Sequence, residues 1–370
     1  MLIKSLSLKD FKCFEQVDID FGKITLLTGA NSSGKSSLIY ALLGIMQTDF
    51  FPQYFALNGN LINMGGFDEV LRKKAKKKEF GVGINLTKMA LSEEESISSF
   101  PSFINIDYGY LTTWVINKEN EQPELKKLLI NHKKDDKIPL YPAIECLYSF
   151  NYIGSFRLPP ERTYYRKPKA GKIGVNGEGY IDQIIEWEES ESYRYTELIK
   201  AITEIGIFRT IQANKMKGGR FELNVQVNEN SELASLTDVG FGISQFLPII
   251  VADLQMEDDS CLAISQPEIH LHPKIQATLG DYFCKQVNNT DKQYIVETHS
   301  EYLINRMRLL IVKGELKPED VKLYYMENDG IKTTTYAIEL TTDGQIKNAP
   351  QGFFDTYEMD VMDIALYASA

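Results

Sequence analysis

The sequence predicts an α/β fold in which a largely parallel sheet carries a glycine loop, a mixed β-sheet lobe stands beside it, and a segment of mixed α/β or helical structure is inserted. Three observations carry this. A compact apolar run, Ile24-Thr25-Leu26-Leu27, leads into a glycine loop and then into Leu38, Ala41, Leu42 and Ile45 at helical spacing. Short apolar strands alternate with amphipathic helices through residues 242–311. Asn328-Asp329-Gly330 separates two strand-like runs, 321–327 and 331–340, as a hairpin turn would.

The elements follow in order. Ile3, Leu6, Leu8, Val17, Ile19 and Phe21 alternate with polar residues, which predicts one or two strands before the buried one, and a helix is expected over 36–47. Periodicity weakens over 48–149, where Pro52, Gly59, Gly65 and Gly66 accompany two charge-dense runs, 72–78 and 126–137. Residues 151–179, rich in Gly, Pro and Arg, are expected to be a loop. Helix follows over 181–207, strand over 221–227, helix over 242–254, strand over 260–265, helix over 273–286, strand over 293–296 and helix over 301–311. The expected division is 1–47, an insertion at 48–150, 151–320, and a hairpin with tail at 321–370.

At 370 residues, with 43% hydrophobic and 25% charged residues, the chain has the composition of a globular protein. A formal net charge of -11 argues against a surface that coats nucleic acid throughout, although a local basic patch remains open. Cys13, Cys146, Cys261 and Cys284 are scattered without a CxxC pair, which suits reduced thiols in a cytosol and core packing. The charged residues Lys4, Lys9 and Asp10 interrupt any signal-peptide stretch, and no run of about 18 apolar residues occurs. The expectation is a cytoplasmic protein with no membrane span.

Gly29-Ala30-Asn31-Ser32-Ser33-Gly34-Lys35-Ser36 matches GxxxxGK(S/T) in full, between a strand and a helix. Glycines let the backbone wrap an anion with its amide hydrogens pointing inward, and the helix beginning near Lys35 adds its positive end. Asn31, Ser32, Ser33, Gly34, Lys35, Ser36 and Ser37 are therefore the candidate ATP-binding residues. Lys35 is expected on the β and γ phosphates, with the Ser36 hydroxyl on Mg²⁺.

Three downstream stretches carry further polar groups. The run 236–245, LTDVGFGISQ, is a glycine turn entering a helix; 260–273, SCLAISQPEIHLHP, is a buried strand ending in polar residues; 294–308, YIVETHSEYLINRMR, is a strand ending at His299. In order and spacing these resemble the signature, Walker B with D-loop, and switch-histidine motifs of ABC/SMC-type ATPases. The resemblance is strongest to AAA family ATPases of the overcoming-lysogenization-defect and bacterial antiviral defence type, and the tail at 351–355 is similar to the end of a subgroup of them. It covers about 1–47 and 151–355.

That resemblance implies a P-loop NTPase head of the ABC type that pairs head to tail with a second copy around ATP and Mg²⁺. Gly242 and Ser244, at the start of a helix, would then face the γ-phosphate of the partner copy; the other reading is a loop-to-helix cap. His299 would sense the γ-phosphate, or be a core histidine. His270 and His272, one residue apart, are read as D-loop or structural residues rather than metal ligands.

One departure limits the resemblance. Where the family ends its Walker B strand in acidic residues, or Glu then Gln, this chain reads Ser265-Gln266-Pro267-Glu268. Ser265 stands where a carboxylate holds Mg²⁺ through water, and Gln266 where the base that activates water stands; neither carries negative charge. Glu268 falls on the same face if the strand continues, which Pro267 opposes. The catalytic candidates are thus Lys35, Gln266, Glu268 and His299, and slow hydrolysis is expected.

Arg157, Arg162, Arg166, Lys167, Lys169 and Lys172 interleave with Tyr164 and Tyr165. Arg157 or Arg162 is expected on ATP phosphate, or the whole stretch tracks nucleic acid with the tyrosines stacking on bases; the other reading is a solvated loop paired with acids. The run 72–78 is a solvated face or a nucleic-acid contact. Two functions remain open: a hydrolysing switch of a bacterial defence or DNA-processing system, and a nucleotide-dependent scaffold for a separate nuclease or toxin. A homodimer or higher homo-oligomer is expected in either. A nuclease of its own is disfavoured, because Glu358, Asp360 and Asp363 read as a solvated tail.

Overall fold

The computed structural model describes residues 2–47, 55–87, 109–117, 120–130, 150–168, 171–350 and 352–353. Cys146, Lys169, residues 131–137 of the second charged run, most of the tail at 351–355, and Glu358, Asp360 and Asp363 lie outside them.

In chain order the strands and helices are β1 (Leu2–Phe11), β2 (Phe14–Asp20), β3 (Ile24–Gly29), α1 (Lys35–Met46), α2 (Phe67–Val70), β4 (Glu79–Thr87), β5 (Gly109–Asn117), β6 (Asn120–Ile130), β7 (Phe150–Ile153) and β8 (Tyr164–Tyr165). Then come α3 (Tyr180–Glu189), α4 (Tyr193–Ile205), β9 (Thr210–Lys215), β10 (Arg220–Gln226), β11 (Ala234–Ser235), α5 (Phe241–Gln255), β12 (Cys261–Ser265) and α6 (Pro273–Asn289). The last are β13 (Gln293–Glu297), α7 (Glu301–Val312), β14 (Val321–Asn328), β15 (Thr333–Leu340) and β16 (Ile346–Lys347).

The central sheet has the order β16-β15-β14-β3-β13-β12-β7. Strands β14, β3, β13, β12 and β7 run parallel, and the expected hairpin of β14 and β15 supplies an antiparallel edge. Side chains alternate between faces with a period of two. Leu26, Leu262, Ile264, Tyr294 and Val296 pack toward the helices that follow β7, while Leu27, Ala263 and Ile295 pack toward α1 and the N-terminal strands. The sheet is therefore covered on both faces, as parallel strands require.

The segment expected as an insertion supplies β4, β5 and β6, which join β2 and β1 in one antiparallel sheet of order β2-β1-β4-β5-β6. Gln293 ties that sheet to the centre. Its side-chain oxygen accepts from the Ile3 amide at 3.0 Å, and its amide nitrogen donates to the Ile3 and Gly22 carbonyls at 2.9 and 2.8 Å.

The loop expected over 151–179 needs correction. It opens in β7, which pairs with β12, and Tyr164–Tyr165 pairs with β10. A four-residue strand interrupted by Asn151 gives no readable period, yet Asn151 is satisfied inside because its amide donates to the Ile173 carbonyl at 3.1 Å. Among the described residues no helix is long and apolar enough to cross a membrane.

Candidate functional site

The loop after β3 is fixed by its glycines. Gly29 has φ +137, and a Cβ there would stand 2.2 Å from the Met326 carbonyl oxygen; Gly34 has φ +108, and a Cβ would stand 2.8 Å from Cys13 Sγ. Both positions demand glycine on conformational and steric grounds. The hairpin braces the loop from outside, with the Thr333 hydroxyl donating to the Ser33 carbonyl at 2.9 Å. Lys35 begins α1 and its ammonium donates to the Gly29 and Ala30 carbonyls at 3.0 and 2.8 Å. Burial pushes the Lys35 pKa down, opposed by the charges of Glu297 and then Glu268.

A cleft of about 440 Å³ is lined by the loop residues Asn31 to Ser37, by Lys12 and Cys13, and by Gln266, Glu297 and His299. The sequence-predicted loop residues thus meet Gln266 and His299 in one cavity. Lys12, Cys13 and Glu297 were not expected there. The first two form the turn between β1 and β2, and only the tertiary fold brings that turn across the loop.

Glu297 closes β13. In the parallel register it faces Leu27 of β3 on one side and Ser265 of β12 on the other. The two-residue period places Glu297 and Ser265 on the α1 face, below Ser36. The Ser36 hydroxyl donates to one Glu297 carboxylate oxygen at 2.8 Å and the Ser265 hydroxyl to the other, also at 2.8 Å. Ser36 and Glu297 thus present a hydroxyl and a carboxylate beside a cradle of backbone amides, a donor set of the hard oxygen kind that suits Mg²⁺ with a nucleotide phosphate.

The strand does not continue to Glu268. Gln266 takes φ +49, its amide donating to the Glu297 carbonyl at 2.7 Å, and Pro267 then turns the chain away. Glu268 is buried behind the cleft rather than lining it, and its carboxylate accepts from the His299 amide at 2.6 Å. Burial raises its pKa, with the His299 amide the first of the opposing hydrogen bonds. His299 itself stays exposed, its pKa lowered by burial of part of the ring and by Lys35. Ser300 caps α7 by accepting the Leu303 amide hydrogen at 3.1 Å, and this fixes where the histidine loop ends.

The basic stretch is engaged within the chain. Arg157 is buried and donates to the Ser265 and Gln266 carbonyls at 2.6 and 3.0 Å, and burial lowers its pKa to about 10. Arg162 grips Asp238 with two bonds of 2.7 and 2.6 Å, Arg166 pairs with Glu189, and Lys172 donates to the Phe150 carbonyl at 2.6 Å. Pairing with acids is therefore what these contacts favour for Arg162 and Arg166, whereas Arg157 and Lys172 are held by backbone carbonyls. In the other run, Arg72 is buried against Asp10 at 2.8 Å, whereas Lys73, Lys74, Lys76, Lys77 and Lys78 are exposed.

At the α5 end of the glycine turn, Gly242 and Ser244 are both buried within the chain. A Cβ at Gly242 would stand 2.3 Å from the His270 carbonyl oxygen, so this end of α5 is packed against the segment after β12. The exposed part of the turn is Asp238 and Gly240. His270 is exposed with φ +62, and His272 caps α6, its Nδ1 accepting from the Lys274 amide at 3.3 Å.

A glycine loop on the carboxyl edge of a parallel sheet, a histidine ending the neighbouring strand and an antiparallel β lobe together define a P-loop head of the ABC/SMC type. The chain belongs to the family described as "AAA domain, putative AbiEii toxin, Type IV TA system", which matches residues 24–305. A family described as a protein of unknown function matches residues 316–364. The chain is 20% identical over 367 residues to the OLD nuclease of Thermus scotoductus (strain ATCC 700910 / SA-01), covering 89% of this chain and 65% of that protein's length. Among solved structures it is similar to an SMC head bound to the C-winged helix domain of ScpA, with TM-score 0.54 and 14% identity over 92% of this chain and 98% of that one. It is also similar to an SMC head with an extended coiled coil, bound to the C-terminal domain of ScpA and derived from Pyrococcus furiosus. There the TM-score is 0.50 and the identity 12%, over 98% of each chain. At these identities the likeness to the SMC heads is one of fold.

Proposed function

We propose that this chain binds Mg-ATP at the 29–37 loop, pairs head to tail with a second copy around it, hydrolyses it slowly, and so switches or scaffolds an effector in the cytoplasm. The observation that carries this reading is the lining of a single cleft. Lys35, the loop amides and Ser36 offer groups for the phosphates and metal, His299 stands exposed at the far wall, and the residue at the position of the base is the neutral Gln266.

Each residue has a distinct task. Lys35 exchanges its carbonyl contacts for phosphate oxygens, which compensate its buried charge better than backbone carbonyls do. His299 donates to a γ-phosphate, an acceptor that a diphosphate lacks. Glu268 holds the His299 backbone and is a positioning residue. Ser36 would hold Mg²⁺, which would supply positive charge against the phosphates. A glutamine at the base position orients water but takes no proton, and loss of a general base costs about 100- to 10,000-fold in rate.

The second copy approaches through the exposed Asp238 to Gly240 end of the turn, held by Arg162, with Gly242 and Ser244 supporting it from one turn inside. The effector is of the nuclease or toxin class, in keeping with the nuclease relative and with the toxin named in the family, and the setting is defence against phage. The exposed lysines at 73–78 form the surface suited to nucleic acid. A non-hydrolysing scaffold is the second reading, favoured by the neutral pair Ser265-Gln266. Single-turnover phosphate release separates the two: slow cleavage supports the switch, no cleavage supports the scaffold, and release at the rate of a dedicated ATPase sinks both.

A further inference from the structure

We propose that Glu297 supplies the carboxylate for Mg²⁺ that Ser265 cannot, so that the metal-holding charge sits on β13, one strand closer to the phosphate loop. The inference rests on the nucleotide-binding reading above and adds a residue to it.

The geometry is specific. β13 lies between β3 and β12, so a side chain at its carboxyl end on the α1 face points to the start of α1. The Ser36 hydroxyl, the group a P-loop offers to Mg²⁺, already donates to Glu297 at 2.8 Å. A carboxylate in direct reach of that hydroxyl is where a metal held by the hydroxyl would find its negative partner. Among the residues lining the cleft Glu297 is the acidic one, since Glu268 is turned behind it.

Ser265 then takes an orienting role. Its hydroxyl donates to the second Glu297 oxygen at 2.8 Å and stands 3.1 Å from the Tyr152 hydroxyl. Because Ser265 gives its own proton to Glu297, its oxygen is left to accept from Tyr152, whose pKa burial pushes up to about 12. A chain of hydroxyls thus fixes the carboxylate, as metal-holding groups commonly require. The missing acid and the new one also explain each other. A carboxylate at 265 would stand within hydrogen-bond reach of Glu297, and two such charges on one site repel; serine removes the conflict and becomes a donor.

The alternative is that Glu297 merely ties β13 to α1. An amide at 297 loses the charge but keeps its length, an acceptor for one of those hydroxyls and a donor to the oxygen of the other, so Glu297→Gln separates the two roles. The test uses the full chain, a fluorescent ATP analogue titrated with Mg²⁺ or with chelator, and paramagnetic resonance of Mn²⁺ with ATP. Glu297→Gln is expected to cut the metal-dependent gain in nucleotide affinity, and Mn²⁺ retention, by about 10- to 100-fold while metal-free nucleotide affinity holds. Ser265→Asp combined with Glu297→Gln is expected to recover most of the loss. Should Glu297→Gln alone fail to fold, the double variant carries the test, because a folded double variant without metal dependence overturns the transfer. Full metal dependence in Glu297→Gln overturns this inference alone, whereas a wild-type chain that takes up no nucleotide overturns the reading of the cleft and this inference with it.

Discussion

The Glu268 carboxylate accepts the His299 backbone amide at 2.6 Å, so an acid one turn beyond β12 holds the histidine loop instead of facing the phosphate cleft. Gln266, not Glu268, is the end-of-strand residue that lines the cavity. Gln266→Glu is therefore expected to raise the single-turnover cleavage rate by about 100-fold or more. Glu268→Gln is expected to disturb ATP-dependent pairing more than the cleavage step. Rapid-quench measurement of both variants decides. Cleavage abolished by Glu268→Gln and unmoved by Gln266→Glu would make Glu268 the base.

The loop glycines give a second expectation. A methyl at Gly29 meets a backbone carbonyl at 2.2 Å, and one at Gly34 meets a side-chain sulfur at 2.8 Å. Backbone must move in the first case, and both residues sit at positive φ, where strain costs about 1–3 kcal/mol. Gly29→Ala should lower stability more than Gly34→Ala, while both lose nucleotide. Thermal melts with and without Mg-ATP check this, and a Gly34→Ala chain still stabilised by nucleotide would contradict it.

Much of this loop was legible in the sequence because its constraints are local: glycine spacing, an apolar strand before and a helical repeat after. The place of His299 beside the loop was legible for the same reason, as a polar residue just after a buried strand. Glu297 was not, although it directly precedes Thr298-His299-Ser300, because its role depends on the register that sets it beside Ser265 and below Ser36. Nor was β7, whose four residues gain their strand identity from pairing with β12. Ser244 is buried and the His270 carbonyl lies against Gly242, and no local pattern encodes either. The pairing of β4 with β1 is likewise a long-range choice.

Asp253 is fully buried at the end of α5, where the hydroxyls of Tyr282 and Tyr294 donate to its carboxylate and the Lys292 ammonium stands 3.4 Å away. Removing one partner of a buried ion pair leaves the other uncompensated, at a cost of about 3–5 kcal/mol. Asp253→Asn should lower the urea midpoint accordingly. A loss below about 1 kcal/mol would show that the tyrosines and backbone alone suffice.

Lys172 gives a pH dependence of known sign. Burial lowers its pKa to about 8 from an ordinary 10.5. Between those values the unfolded chain binds more protons than the folded one, so this group adds stability as pH rises and its penalty is fully present below about 8. Relative to Lys172→Met, the wild-type melting temperature is expected to climb from pH 8 to pH 10. A constant offset across that range would contradict the assignment.

The central claim is that Mg-ATP on the Lys35 loop joins two copies through the exposed end of the α5 turn. Sedimentation of Lys35→Ala and Gly240→Arg chains, separately and mixed, tests it most directly. With Mg-ATP the wild type should dimerise, each variant alone should stay monomeric, and the mixture should pair because one complete composite site is restored. Pairing by either variant alone, or none in the wild type, would contradict it.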